Sequence, residues 1–389
     1  MSTSVLLPQF IEIGEGASRK VSDILTALGC RNPLIITDKT MVSLGQVELI
    51  QRQLAHSGMG DDVYDGTIPE PTDASILDGV KVLRKGSYDS LVALGGGSVI
   101  DSAKAMSVLA KSGDSMRDFK FPRIVSEAGL PLIAIPTTAG TGSETTRFTV
   151  ITDEVSDEKM LCVGPAFMPV AALVDASLTL TLPARATADT GIDAMTHAME
   201  AYVSKKANAF SDYNALEALR LIGPNLRTVC KEPKNRKARE DMMLGATLAG
   251  IAFSNASVAL VHGMSRPIGA AFHVPHGLSN AMLLPIVTAY SIPAAAERYA
   301  ECARAMGVAN PQDSTASANQ KLLEELEAIN RELSVPGPKA FGIDEQQFFG
   351  LLESMAEQAL ASGSPGNNPR VPESDDIVHL YKQLWATAS

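Results

Sequence analysis

The sequence predicts an α/β domain followed by an all-α domain, and three observations lead to that reading. Up to about residue 183, short apolar, β-branched runs alternate with helical patterns. Beyond PARATADTG the runs stop, and apolar residues recur three and four positions apart, as on amphipathic helices. Between the two textures stands Pro183, which resists continuation of strand or helix and marks a boundary, giving domains at 1–183 and 184–389.

The expected strands are PLIITD (33–38), SLVALGGG (90–97), LPLIAIP (130–136) and VAALVD (170–175). Each is a continuous apolar run, which suits a strand buried on both faces of a parallel sheet. The expected helices include AMTHAMEAYVS, DYNALEALRLI, AREDMMLGATLAGIAF, AAAERYAECARAM and KLLEELEAINREL. A loop, GSPGNNPRVPES (363–374), precedes a last helix, DDIVHLYKQLW; it reads either as a linker or as a stiff turn that sets Arg370 against a cleft.

At 389 residues the chain is long enough for two or three domains of roughly 150 residues each. With 45% hydrophobic and 20% charged residues, it has the composition of a folded globular protein. A net charge of -11 argues against nucleic acid or an anionic membrane as partner and favours a small soluble ligand. Cys30, Cys162, Cys230 and Cys302 are far apart and form no CxxC pair, as befits free thiols in a reducing compartment. The first sixteen residues lack a basic segment followed by an apolar stretch, and no segment offers some 18 uncharged apolar residues. The expectation is a cytoplasmic protein.

Two loops are candidates for cofactor binding. In LVALGGGSVIDSAKA, Gly95, Gly96, Gly97 and Ser98 lie between a strand and a helix, where bare backbone and the helix N-terminus can receive a pyrophosphate. This is not the GxGxxG fingerprint, and a glycine triplet also serves tight packing. The second loop, PTTAGTGSE, follows another strand and offers Thr137, Thr138, Thr141 and Ser143. Loops at the carboxyl ends of strands in one sheet are where open α/β folds bind cofactors. Asp38 in TDKT can accept the hydroxyls of an adenosine ribose, or simply cap the helix that follows.

The chain has six histidines, and four of them, His197, His262, His273 and His276, fall between positions 197 and 276. Asp193 and His197, four apart on a largely apolar helix, project from one face, and a buried charge there needs a partner. With His262 and His276 they make one carboxylate and three imidazoles, a set suited to Fe(II) or Zn(II). Taken singly, His262 and His276 read as ordinary core residues. His273 reads as a fifth ligand, a proton carrier or a support for the ligands.

GGGSVIDSAKA, PTTAGTGSE, VDASLTLTLP, GIDAMTHAMEAYVS, VHGMSRPIGAAFHVPHG and NNPRVP resemble, in order and spacing, the iron-containing alcohol dehydrogenase family over nearly the whole chain. The resemblance implies a dehydroquinate synthase-like fold with a cleft between its domains. It places the metal ligands on Asp193, His197, His262 and His276. It places the pyrophosphate loop on Gly95, Gly96, Gly97 and Ser98 with Asp101 behind, and further cofactor contacts on Thr137, Thr138, Thr141, Lys159 and Leu178. NAD(H) is expected over NADP(H), because a TDKT carboxylate at Asp38 repels a ribose phosphate. A homodimer or higher homo-oligomer is expected as well. One departure is Arg266, where many relatives carry a histidine; an arginine cannot relay a proton, so the task passes to His273 or to water.

Iron at such a site would polarise the oxygen of a small primary alcohol, diol or aldehyde while a hydride passes to or from the nicotinamide. Three alternatives remain open at the level of sequence: a dehydroquinate-synthase-like lyase using NAD and a metal, a zinc-dependent polyol dehydrogenase of glycerol type, and a non-catalytic metal-binding protein. The lyase would want several basic residues around a polyanionic substrate, and residues 190–290 offer few.

Overall fold

The computed structural model describes residues 2–112, 115–156 and 158–387. The chain separates into two compact units: Leu6–Thr181, and Leu182 onward with residues 2–5.

The first unit is built on a six-stranded sheet in the order β1-β8-β5-β4-β2-β3, every pairing parallel. Its strands are β1 (Phe10–Ile13), β2 (Pro33–Ile36), β3 (Val63–Tyr64), β4 (Ser90–Gly95), β5 (Leu132–Pro136) and β8 (Ala171–Val174). The four apolar runs expected from sequence are the four contiguous central strands, β8, β5, β4 and β2, each buried along its whole length. Alternate residues serve opposite faces. Leu34, Ile36, Leu91, Ala93, Leu132 and Ala134 pack on one side with Ile100, Ala103 and Met106. Ile35, Val92, Leu94, Ile133 and Ile135 pack on the other with Leu25, Val47, Ile50 and Leu54. Each fully buried Leu or Ile contributes about 1.5–3 kcal/mol, so a charge at Val92 would break the sheet at its centre.

Helices α1 (Val21–Ala27), α2 (Lys39–Ser43), α3 (Gln46–His56), α4 (Asp73–Lys85) and α5 (Gly97–Ser112) supply the covering layers. A separate antiparallel pair, β6 (Phe148–Asp153) and β7 (Glu158–Val163), was not anticipated. Its β6 alternates partly exposed and buried residues, which a search for continuous apolar runs passes over.

Beyond Thr181 every regular element among the described residues is helical: α6 (Ala184–Val203), α7 (Ala209–Lys231), α8 (Arg236–Asn255), α9 (Leu260–Phe272), α10 (His276–Ser291), α11 (Ala296–Ala305), α12 (Thr315–Glu332), α13 (Pro338–Phe341), α14 (Glu345–Gly350), α15 (Leu352–Ala361) and α16 (Ser374–Ala386), with short 3-10 turns between. Pro183 is the N-cap of α6, where its fixed φ suits a helix start. From Ile192 to Val203 every residue of α6 is buried, and the helix packs against α7, α8 and α10. No single described helix is long and apolar enough to cross a membrane.

Candidate functional site

Three helices of the second unit bring the sequence-predicted metal residues together. Asp193 and His197 lie one turn apart on the buried face of α6. His262 is the third residue of α9, and His276 is the first residue of α10, after Val274 and Pro275 turn the chain. One ligand atom from each of Asp193, His197, His262 and His276 lies within 4.8 Å of every other. Asp193 Oδ1 stands 3.5 Å from His262 Nε2 and 3.8 Å from both His197 Nδ1 and His276 Nε2. The His197 ring is sandwiched by Phe253 at 4.2 Å and His262 at 4.4 Å between centroids, which fixes its plane.

The donors face a common point rather than a cation of the protein: no Lys or Arg lies within ion-pair distance of Asp193 among the described residues. Instead Asn280 Nδ2 donates to Asp193 Oδ1 at 2.7 Å and lies 3.2 and 3.3 Å from Nε2 of His262 and His276. Burial opposes the charge on Asp193, but His197, His276 and His262 outweigh it and hold the carboxyl well below the usual range. Burial likewise pulls His262 down, while Glu200 and Asp193 more than compensate and raise it. A buried carboxylate balanced only by imidazoles fits a divalent ion better than it fits an unliganded core.

His273 lies outside this group. It is exposed and caps α9 in the left-handed region at φ 54°, so the donor cluster forms without it as a fifth ligand. Arg266, one turn beyond His262, donates from Nη1 to Ser364 Oγ at 3.0 Å. Its neighbour Gly263 lies where an added Cβ would fall 2.6 Å from Pro365 Cγ. The segment 363–374 is therefore more than a linker: Ser364, Asn367 and Asn368 are buried, and Asn367 donates to Ser257 Oγ and Asn368 to Ser291 Oγ.

In the first unit, the glycine loop and the threonine loop touch. Gly95 ends β4 and Gly97 opens α5, with Gly96 and Ser98 partly exposed. A Cβ on Gly96 would lie 3.3 Å from Thr138 Cγ2, and one on Gly97 only 2.6 Å from Thr141 Cγ2. None of the three glycines has a positive φ, so closeness rather than backbone conformation demands them. Thr137 N donates to Gly95 O at 3.0 Å, joining the two loops at the strand ends. Behind them Asp101 accepts from Ser143 Oγ at 2.6 Å and Val150 N at 3.0 Å; burial raises its carboxyl against the pull of Lys104 and these bonds. Asp38 accepts from Met41 N at 2.9 Å and caps α2, so the helix-cap reading holds for one of its oxygens. Lys159 pairs with Glu70 at 2.5 Å, and Leu178 packs in the core beside Ile35, Val47 and Leu94.

Comparison with known proteins gives these two regions a context. The model described as iron-containing alcohol dehydrogenase matches residues 8–176, and that of the Fe-containing alcohol dehydrogenase family, C-terminal, matches 187–385. The chain belongs to the iron-containing alcohol dehydrogenase family. It is 35% identical over 388 residues to lactaldehyde reductase of Escherichia coli (strain K12), covering 99% of this chain and 100% of that one. With the NAD-dependent methanol dehydrogenase of Bacillus methanolicus it shares 34% identity over 381 residues, 98% of this chain and 99% of that one. The solved structure of a 1,3-propanediol oxidoreductase superposes with a TM-score of 0.94 at 33% identity, covering 99% of this chain and 100% of that one. The protein is thus an oxidoreductase of the alcohol dehydrogenase type with an iron and NAD cofactor set, and the lyase alternative is set aside because these relatives are dehydrogenases and reductases.

Three residues of these sites escaped the sequence reading. Glu200 follows His197 by three and Asp193 by seven, so all three share one helix stripe, and an acid in so apolar a segment was the available signal. Asn280 stands four after His276, again one turn away. Lys104, three after Asp101, is fully buried. Its Nζ donates to Ser143 Oγ, to Thr146 O and Oγ1, and to Phe148 O at 2.8–3.0 Å. Burial pulls this lysine down to about 8, partly offset by Asp101 and Glu144.

Proposed function

We propose that this protein interconverts small primary alcohols or diols with the corresponding aldehydes, using NAD(H) and an iron ion held by Asp193, His197, His262 and His276. The observation that carries the reading is the convergence of those four donors within 4.8 Å. When bound, the ion supplies Lewis acidity at the substrate oxygen and so lowers the barrier to hydride transfer.

The remaining work falls to the chain. Asn280 holds Asp193 in place by its amide. Gly95, Gly96, Gly97 and Ser98 present bare backbone at the start of α5 for the cofactor pyrophosphate, with Thr137, Thr138 and Thr141 as hydroxyl neighbours and Asp101 locking the loop from behind. The Asp38 carboxylate accepts the ribose hydroxyls and disfavours the phosphate of NADP(H); Lys159 and Leu178 flank the same cofactor half. His273, exposed and three residues before His276, carries the proton to solvent.

Four free cysteines, three of them buried, support a cytoplasmic setting. The edge position of β1, whose last residue Ile13 is half-exposed, supports a homo-oligomer, which light scattering would measure.

The reading is tested by metal analysis of anaerobically purified protein together with NADH- and NADPH-linked assays on a panel of alcohols, diols and aldehydes. About one iron per chain and turnover favouring NADH by roughly tenfold or more, a difference of about 1.4 kcal/mol, are expected. Full turnover by metal-free protein would overturn it.

A further inference from the structure

We infer that Glu200 is a positioning residue for the metal centre: it holds the His262 ring in a single tautomer and orientation and adds a second carboxylate behind the donor set. The inference rests on the metal site proposed above.

Glu200 is 4% exposed and lies on α6 in line with Asp193 and His197. Its carboxylate takes three short contacts and none from a Lys or Arg within ion-pair distance among the described residues. Oε2 accepts from Ala259 N at 2.8 Å and lies 2.6 Å from His262 Nδ1, while Oε1 accepts from Val261 N at 2.6 Å. The two amides belong to the N-cap and first turn of α9, so the carboxylate is pinned to the element that carries the ligand.

The tautomer follows from donor and acceptor roles. An ionised carboxylate only accepts, so Nδ1 facing it carries the proton. On the opposite side of the ring, Nε2 faces the donor cluster, 3.2 Å from Asn280 Nδ2, which donates to Asp193 Oδ1. The Glu200 contact at Nδ1 thus leaves Nε2, 3.5 Å from Asp193, as the nitrogen free to bind a metal. A histidine held in this way is a more basic and better aimed ligand, and loss of such a support typically costs about 10–100-fold in metal affinity. Electrostatics adds a second effect: Glu200 places a second carboxylate, which also attracts Arg266, beside Asp193 in a buried setting where an uncompensated charge is costly.

The probe is cobalt(II), whose visible bands report ligand geometry and whose affinity is read by competition with a chelator. In Glu200→Gln the volume is kept and the charge removed; cobalt affinity should fall about 10–100-fold and the visible bands should shift, while the metal-free variant keeps its helical content. Glu200→Asp should restore part of the affinity. Nitrogen-15 spectra of the unsubstituted protein loaded with zinc should show the His262 proton on Nδ1 and the metal on Nε2, a result that requires no variant to fold.

Wild-type cobalt affinity and bands in Glu200→Gln would overturn the inference and leave the four-ligand site standing. So would a loss of metal-free stability with unchanged affinity in the folded fraction, or a His262 proton on Nε2 with the metal on Nδ1 in the zinc-loaded protein. Failure of the unsubstituted protein to bind cobalt at all would overturn the four-ligand site as well.

Discussion

At the end of β4 the α/β unit offers Gly95, Gly96 and Gly97, where side chains are missing; along α6 the helical unit offers Asp193 and His197, two of four converging donors, with Glu200 one turn on. The first is a steric device in which an added atom meets Val99, Thr138 or Thr141. The second is an electrostatic device in which a removed atom leaves a buried charge uncompensated. The two should therefore fail in different ways: the glycine site by losing the dinucleotide with the metal retained, the helical site by losing the metal with the dinucleotide retained.

The sharpest break is His262→Ala, which removes one imidazole and frees Glu200. Metal content should fall to below about a tenth of wild type and turnover should vanish, while NADH binding, followed by fluorescence titration, stays unchanged. A smaller effect is expected at His273, which stands outside the donor cluster. His273→Phe should lower the rate by about 10²-fold with iron retained, the low end for a lost proton carrier. Equal loss of iron would make it a support for the ligands instead.

On the steric side, Gly97→Ala sets a methyl 2.6 Å from Thr141 Cγ2, and the loop must shift. NADH affinity should drop by about tenfold with metal content intact, a loss of about 1.4 kcal/mol. Adding Thr141→Ser, which removes that methyl, should recover part of it; no recovery would place the damage elsewhere.

The smallest effect concerns Lys104 and the pH dependence of stability. Its folded value of about 8 lies below the ordinary 10.5, so between these limits the unfolded chain binds the proton more readily than the folded one. Stability contributed by this group should therefore rise with pH across that window, by up to roughly 3 kcal/mol. Urea unfolding of the wild type and of Lys104→Met at pH 7, 9 and 10 isolates the term, since their difference should grow with pH in favour of the wild type. A flat difference would mean that the four acceptors hold the proton on as firmly as water does.

How much of this was legible in the sequence depended on burial. The central strands β8, β5, β4 and β2 were readable because both faces are covered and every residue is apolar. The edge strands β1 and β3 were not, because they are only partly buried, Glu12 interrupts β1, and β3 is only the two residues Val63 and Tyr64. The ligand histidines were conspicuous because such groups are rare in apolar helices. Arg370 could not be placed from sequence; the structure stacks it on Tyr290 at 4.0 Å in a groove of about 1430 Å³ lined by α10, α12 and α16.

By itself the sequence determined the order of α/β and helical units, the strand-end position of the glycine loop, and the pairing of Asp193 with His197, since these depend on periodicity and on neighbours within one turn. Only the tertiary structure decided that His262 and His276, 65 and 79 residues after His197 (262 − 197 and 276 − 197), reach the same point. It alone decided as well that Glu200 and Asn280 bracket one imidazole and that Lys104 locks the threonine loop. Contacts of that kind are selected by the packing of separate helices, α6 against α10 and α9 against α10, and a chain's local pattern carries no record of which distant helix will face it.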